Sequence, residues 1–191
     1  MIYIVRHGQT KLNSTHALQG RSDNPMNETG IAQVQQVKAA FDRQGIRFSY
    51  VFSSPLGRAV KTAQIIAPDT PIRTDDRLIE MDYGPYDGLD MKSPPPEIVT
   101  FFSDFVHNPA PEGMEQLADV VKRTGAFIEE IRDLSGNTLI STHAIAMKGI
   151  LEYLTPDSKG SYWSKYIGNC AVFVTGFQNG RFTIPEEWKL L

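Results

Sequence analysis

The 191-residue chain has a single cysteine, Cys170, and that scarcity removes two classes of architecture. One thiol cannot build an internal disulfide framework, and it cannot anchor a cysteine-based metal cluster. Cys170 is expected to be a small buried strand residue. Long apolar runs are missing too. The first, "IYIV", is stopped by Arg6, too early for the core of a secretory signal, and no later run approaches the roughly 18 residues of a membrane span. Charge of one sign is not in excess. Lys and Arg number 19 against 22 Asp and Glu, a formal net charge of −3, so neither nucleic acid nor an anionic membrane is expected as a partner. Any positive site has to be local. What is present is 41% hydrophobic and 21% charged, the composition of a soluble globular protein, and the length suits one domain over residues 1–191. These features point to the cytoplasm and leave the oligomeric state open.

Strand and helix patterns alternate along the chain. "IYIV" reads as a buried strand, and the stretch from about Glu28 to Arg43, closed by Gly45, carries helical periodicity. "YVFSS" is a second strand followed at once by the helix "GRAVKTAQIIA", and "PIRTDDRLI" carries a short third strand. In "MEQLADVVKRTGAFIEEIRDL" the apolar residues recur at helical spacing, while "NTLISTH" and "AIAMKGILEYL" read as another strand and helix. "CAVFVTGF" and "RFTIP" look like a closing hairpin. Strand then helix, repeated, predicts an α/β protein: a three-layer α/β/α sandwich around a mostly parallel sheet. Between residues 84 and 113 the pattern breaks. Five of the twelve prolines, Pro94 to Pro96, Pro109 and Pro111, flank one short helix there, which reads as a helical lid inserted over the sheet.

Polar residues recur where strands end. "YIVRHG" places Arg6 and His7 at such a point, "VFSSPLGRAVKTA" places Ser54 and Pro55 at the turn with Arg58 in the first helical turn, and "LISTHA" places Thr142 and His143. A parallel sheet aligns these ends along one edge. Two arginines and two histidines are thereby expected to meet beside helix N-termini, whose free N–H groups and dipoles favour anions. That constellation describes a phosphate pocket.

The block "RHGQTKLN" resembles the signature of the histidine phosphatase superfamily, the phosphoglycerate mutase-like proteins. "SSPLGRAVKTA", "RLIEMDYGPYDG" and "LISTHA" match its later blocks in order, so the resemblance spans essentially the whole chain. It implies that His7 is the nucleophile, forming a labile phosphohistidine, with its other ring nitrogen held by a nearby backbone carbonyl. It implies that Arg6, Arg58 and His143 hold the phosphoryl oxygens, and that Asn13 and Gln19 add neutral hydrogen bonds. Glu80 matches the proton donor, with Asp82 two residues on as a rival. His16 and His107 fall outside the matching blocks and are expected at the surface. No cluster has metal-ligand spacing, and the family's chemistry implies neither a metal nor another cofactor.

Two departures bear on function. Ala144 stands where many members have glycine. Met81 follows Glu80 where cofactor-dependent mutases carry arginine, and no arginine occurs between Arg77 and Arg123 to clamp a second anionic group. The resemblance therefore implies metal-independent hydrolysis of a small phosphomonoester. The alternatives are a cofactor-dependent phosphoglycerate mutase, a phosphohistidine-protein phosphatase and a non-catalytic phosphate-binding module.

Overall fold

The computed structural model describes residues 1–189. Its elements, in chain order, are β1 (Ile2–Arg6), α1 (Lys11–Ser14), α2 (Glu28–Arg43), β2 (Tyr50–Ser53), α3 (Gly57–Ile66), β3 (Ile72–Thr74), α4 (Pro96–Ser103), α5 (Leu117–Ile131), β4 (Thr138–Thr142), α6 (Ala144–Leu154), α7 (Ser161–Ser164), β5 (Val172–Thr175), β6 (Phe177–Gln178), β7 (Arg181–Phe182) and β8 (Glu186–Trp188). Six strands form one sheet in the order β3-β2-β4-β1-β5-β8. The β3-β2, β2-β4 and β4-β1 pairs are parallel; β5 runs antiparallel to both β1 and β8.

Each face of the sheet has its own core, as a strand's alternating side chains require. Ile2, Ile4, Phe52 and Ile140 pack with Phe127, Ile128 and Ile131 of α5 and with Met147, Ile150 and Leu151 of α6. Tyr3, Val5, Val51 and Leu139 point to the other face, against Val34, Val37 and Phe41 of α2 and Ala63 and Ile66 of α3. Burial on both sides explains why "IYIV" reads as a continuous apolar run and why "TLIST", buried at all five positions, shows no apolar–polar alternation. A third, separate cluster forms around α4. Ile98 and Phe101 of α4 pack there with Leu18, Met81, Tyr83, Ile145 and Trp163.

The expected closing hairpin forms where its two segments meet: Phe177 pairs with Phe182 in the small β6-β7 pair, which stands apart from the main sheet, while β5 lies between β1 and β8, the strand at the sheet edge. Asn179 and Gly180 make the turn. Both have positive φ, 53° and 75°, the backbone of a two-residue turn that matches strand twist, and they fold the chain back before it reaches β8. Cys170 is misread. It is buried as expected but lies outside the strand, in a left-handed turn at φ 62° that precedes β5, where its N–H donates to the Arg6 carbonyl at 3.1 Å. Burial pushes its thiol up to about 12, so it stays protonated.

Candidate active site

Of the long helices after β1 and β4, α2 lies on one face of the sheet and α6 on the other, although β1 and β4 are neighbours. Their carboxyl ends therefore open a crevice, the place where open α/β sheets take ligands. Register sets what lines it. Arg6 pairs with Thr142, and the His7 N–H donates to the Thr142 carbonyl at 3.0 Å, so the next residue of each strand is a histidine at the same level. The two rings sit 5.1 Å apart, centroid to centroid. The turn after His7 is clamped by a backbone-to-backbone contact between Gly8 and Gln9 on one side and Gly30 of α2 on the other. A Cβ on Gly8 or Gly30 would collide with the opposing main chain, so glycine is required at both.

His7 is 3% exposed. Its Nδ1 lies 2.8 Å from the Gly8 carbonyl, the backbone acceptor expected from the sequence, which places the ring proton on Nδ1 and leaves Nε2 with a lone pair. Burial, followed by the charges of Arg6 and Arg58, holds the imidazole well below its ordinary value, so it is neutral at pH 7. Arg58 is 1% exposed and lies beneath the cleft. Its Nε donates to His7 Nε2 at 3.3 Å, and its Nη1 and Nη2 donate to the Ser22 and Gly20 carbonyls at 2.7 and 2.6 Å. Arg6 donates through Nη1 to the Ile167 carbonyl at 2.5 Å. Its buried Nε has no protein partner.

His143 is fully buried, and burial together with Arg58 and His7 holds it well below the ordinary histidine value. Its Nε2 is 2.7 Å from Ser54 Oγ. Ser54 Oγ accepts from the Leu56 N–H at 3.3 Å, and we assign its own proton to Nε2. This assignment places the imidazole proton on Nδ1, an atom that is buried without a protein partner. Ser54 was visible in the "SSPLGRA" block, but its bond to His143 joins residues 89 apart and carries no local signal.

Glu80 is 3% exposed and occupies the N-terminus of α6. Its Oε1 accepts from the N–H groups of Met81, Ile145 and Ala146 at 2.9, 3.1 and 3.0 Å; Oε2 accepts only from Ile145, at 3.2 Å. The segment that carries Glu80 is pinned by Arg123, whose Nη1 donates to the carbonyls of Arg77 and Ile79, and by Thr142 Oγ1, which donates to the Leu78 carbonyl. The expectation that free helix N-termini would receive the anion needs correction. The first amides of α6 are taken by Glu80, and the Gly57 N–H that starts α3 donates to Asp23 Oδ1 at 2.8 Å. The helix dipoles are already complemented by the protein's own carboxylates.

A cleft of about 540 Å³ opens above this floor. Arg6, His7, Asn13, Gln19 and Glu80 line it, while Arg58 and His143 sit beneath. Asn13 Oδ1 accepts from the Thr10 N–H and from Asn169 Nδ2, both at 3.1 Å; Gln19 Oε1 accepts from Thr10 Oγ1 at 2.7 Å, with its buried Nε2 unpartnered. Asp82 does not line the cleft. It pairs with Arg21 at 3.2 Å and accepts from the Gly84 N–H. His107 is exposed and bonded to Asp104, but His16, also exposed, reaches the cleft rim from a left-handed turn at φ 59°. Sequence reasoning missed Tyr83, Phe102, Tyr166 and Asn169, which reach the cleft from segments that meet only in space. Among the described residues no group of three or more His, Cys, Asp or Glu could hold a metal ion, and no helix is long and apolar enough to cross a membrane.

The family model of the histidine phosphatase superfamily (branch 1) matches residues 2–188. A curated relative, "Probable phosphoglycerate mutase GpmB" of Yersinia pestis (strain Pestoides F), is 32% identical over 161 residues, covering 80% of this chain and 74% of that protein. Among solved structures, a mycobacterial glucosyl-3-phosphoglycerate phosphatase in complex with VO3 superposes with a TM-score of 0.85 at 22% identity, covering 98% of this chain and 97% of that one. The phosphoserine phosphatase of Entamoeba histolytica, in complex with phosphoserine, gives 0.84 at 21% identity, covering 97% and 95%. The two structures share the fold, and the profile match reaches from the first strand to the last, so the chain belongs to the histidine phosphatase superfamily.

Proposed function

We propose that the chain hydrolyses small phosphomonoesters through a phosphohistidine formed on His7. One observation carries this reading: a buried imidazole, neutral at pH 7, whose Nδ1 proton is held by Gly8 so that Nε2 keeps the lone pair that attacks phosphorus. Arg6, Arg58 and the Nδ1–H of His143 hold the phosphoryl oxygens as charge develops, with Asn13 and Gln19 at the edge of the same group. Arg58 exchanges its long contact to His7 for a phosphoryl oxygen as substrate binds. Glu80 protonates the leaving oxygen and then, as the conjugate base, activates the water that opens the phosphohistidine. The relatives named as phosphatases support hydrolysis; the GpmB name supports a mutase, but Met81 and the absence of a second arginine in the cleft lining disfavour a substrate with two anionic groups. The buried free Cys170 suits a reducing compartment, and we place the reaction in the cytoplasm.

Rapid quenching with a radiolabelled alkyl phosphate tests this. An acid-labile, alkali-stable phosphoenzyme is expected to form before phosphate is released, with water as the acceptor. Label passing to a second hydroxyl of an added phosphoglycerate, and not to water, would establish the mutase instead.

Ser54 acts here as a positioning residue. Ser54→Ala removes the donor that sets the His143 tautomer, and kcat on an aryl phosphate is expected to fall about tenfold, the equivalent of one buried hydrogen bond. KM should move less. Nitrogen NMR of the His143 ring should show the proton divided between Nδ1 and Nε2; an unchanged tautomer with unchanged kcat would dismiss the role.

A further inference from the structure

The cleft lining combines two kinds of group. Arg6, His7, Gln19 and Glu80 supply the phosphate chemistry; Leu18, Tyr83, Met91, Phe102 and Tyr166 add apolar and aromatic surface. Leu18 and Tyr83 are buried members of the third cluster, and Met91 and Phe102 pack against it. Phe102 is held by Phe101 and Phe105 at 5.2 and 5.1 Å between centroids and by Tyr83 at 6.5 Å. Tyr166, by contrast, is 86% exposed, a large ring standing free at the mouth.

Charge in the lining is confined to Arg6 and Glu80, with the imidazole of His16 at the rim. Arginines and lysines close by are engaged elsewhere. Arg21 pairs with Asp82 and Glu115, Arg123 pairs with Glu115, and Lys165 pairs with Glu187 at 3.1 Å. Lys148, behind the wall, donates to the Trp163 carbonyl at 2.6 Å with its ammonium over the Phe105 ring. A carboxylate on the leaving group would therefore enter beside Glu80 and aromatic rings while Arg6 is occupied by the transferring phosphoryl group. Its desolvation would go unrepaid.

We infer that the substrate is a phosphomonoester of an uncharged alcohol bearing an aromatic or other flat apolar part, which packs against Phe102 and Tyr166. The inference rests on the phosphatase reading above. Ring-on-ring contact at an exposed tyrosine provides the attraction, and Glu80 provides the rejection of anionic leaving groups.

Three alkyl phosphates with a primary alkoxide leaving group separate these effects: benzyl, para-carboxybenzyl and ethyl phosphate, assayed at about pH 8, where free imidazoles are neutral. The kcat/KM for benzyl phosphate is expected to exceed each of the others by about 10–100-fold, the range that a single apolar or mismatched group commands in a fitted pocket. Tyr166→Ala, at a position too exposed to endanger folding, should shrink the benzyl-to-ethyl ratio. Equal or better turnover of para-carboxybenzyl phosphate, or of ethyl phosphate, overturns the inference. Calorimetric titration with the three matching phosphonates separates substrate class from chemistry. The same order of affinity without hydrolysis of any ester would support the substrate class and sink the hydrolase reading; a flat or reversed order, even with hydrolysis intact, would sink the substrate class alone.

Discussion

His7→Ala is expected to lower turnover of any phosphomonoester by about 10⁴-fold or more and to abolish the phosphoenzyme, because no second group offers a neutral, oriented nitrogen to phosphorus. His143 cannot substitute: its Nε2 lies 2.7 Å from Ser54 Oγ, and the tautomer assigned above puts the proton on Nδ1. The fold should survive. The lost groups are one hydrogen bond to Gly8 and the long contact from Arg58, and the β1 ladder up to Arg6 is untouched. The pH dependence of stability gives a second readout with a definite sign. His7 is held well below its ordinary value of 6.5 in the folded protein, so below that pH the unfolded chain binds a proton that the folded one refuses. Stability contributed by the neutral ring is present above 6.5 and is lost as pH falls. His7→Ala should therefore lose less stability between neutral and mildly acidic pH than the wild type, by up to about 1.4 kcal/mol per pH unit. Residual covalent labelling in this variant would show that another residue is the nucleophile.

Glu80→Gln should slow alkyl phosphates about 10²–10⁴-fold while barely affecting nitrophenyl phosphate, whose leaving group needs no proton. The atoms at Glu80 make the comparison clean. Three amides converge on Oε1 and one longer contact reaches Oε2, so in the mechanism we propose Oε2 is the oxygen that carries and delivers the proton. Glutamine keeps an acceptor at the Oε1 position and loses only the Ile145 contact to Oε2, a cost of about 1 kcal/mol to the folded state. Asp82→Asn is the matched control. It breaks a pair with Arg21 whose side chains are each about two-fifths exposed, worth about 0–1 kcal/mol, outside the cleft. Equal slowing of both substrate types in Glu80→Gln, with selective slowing in Asp82→Asn, would reassign the proton donor.

How far the site could be read from the sequence depended on how its parts are held. Strands buried on both faces are continuous apolar runs, so their ends, and with them Arg6, His7, Thr142 and His143, were legible, and parallel pairing then brought the ends to one edge. The placement of Arg58 came from the strand-to-helix turn before it, although its burial under the cleft leaves no trace in a first-turn arginine. Long-range contacts were not legible. Nothing near residue 80 announces that its carboxylate caps a helix beginning at residue 144, and nothing near Ser54 announces His143. The aromatic wall was hidden for the same reason: Tyr83, Phe102 and Tyr166 are far apart in the chain and none has a charge pattern to single it out. At the C-terminal end the hairpin was legible, but the edge strand β8 that follows it, Glu186–Trp188, was not.

The three hydrophobic clusters carry different parts of the cleft. The sheet's two cores carry the strands that end at the histidines, whereas the third cluster holds Tyr83 and packs against Phe102, together with Met81 and Ile145, whose N–H groups hold Glu80. Change confined to α4 can thus act on the aromatic surface and spare the Glu80 amides. A lineage that exchanges the segment around α4 for another sequence alters which alcohols are welcome, while the ladder from Ile2 to Arg6 goes on presenting the same nitrogen to phosphorus, and new clientele arrive without the chemistry being reinvented.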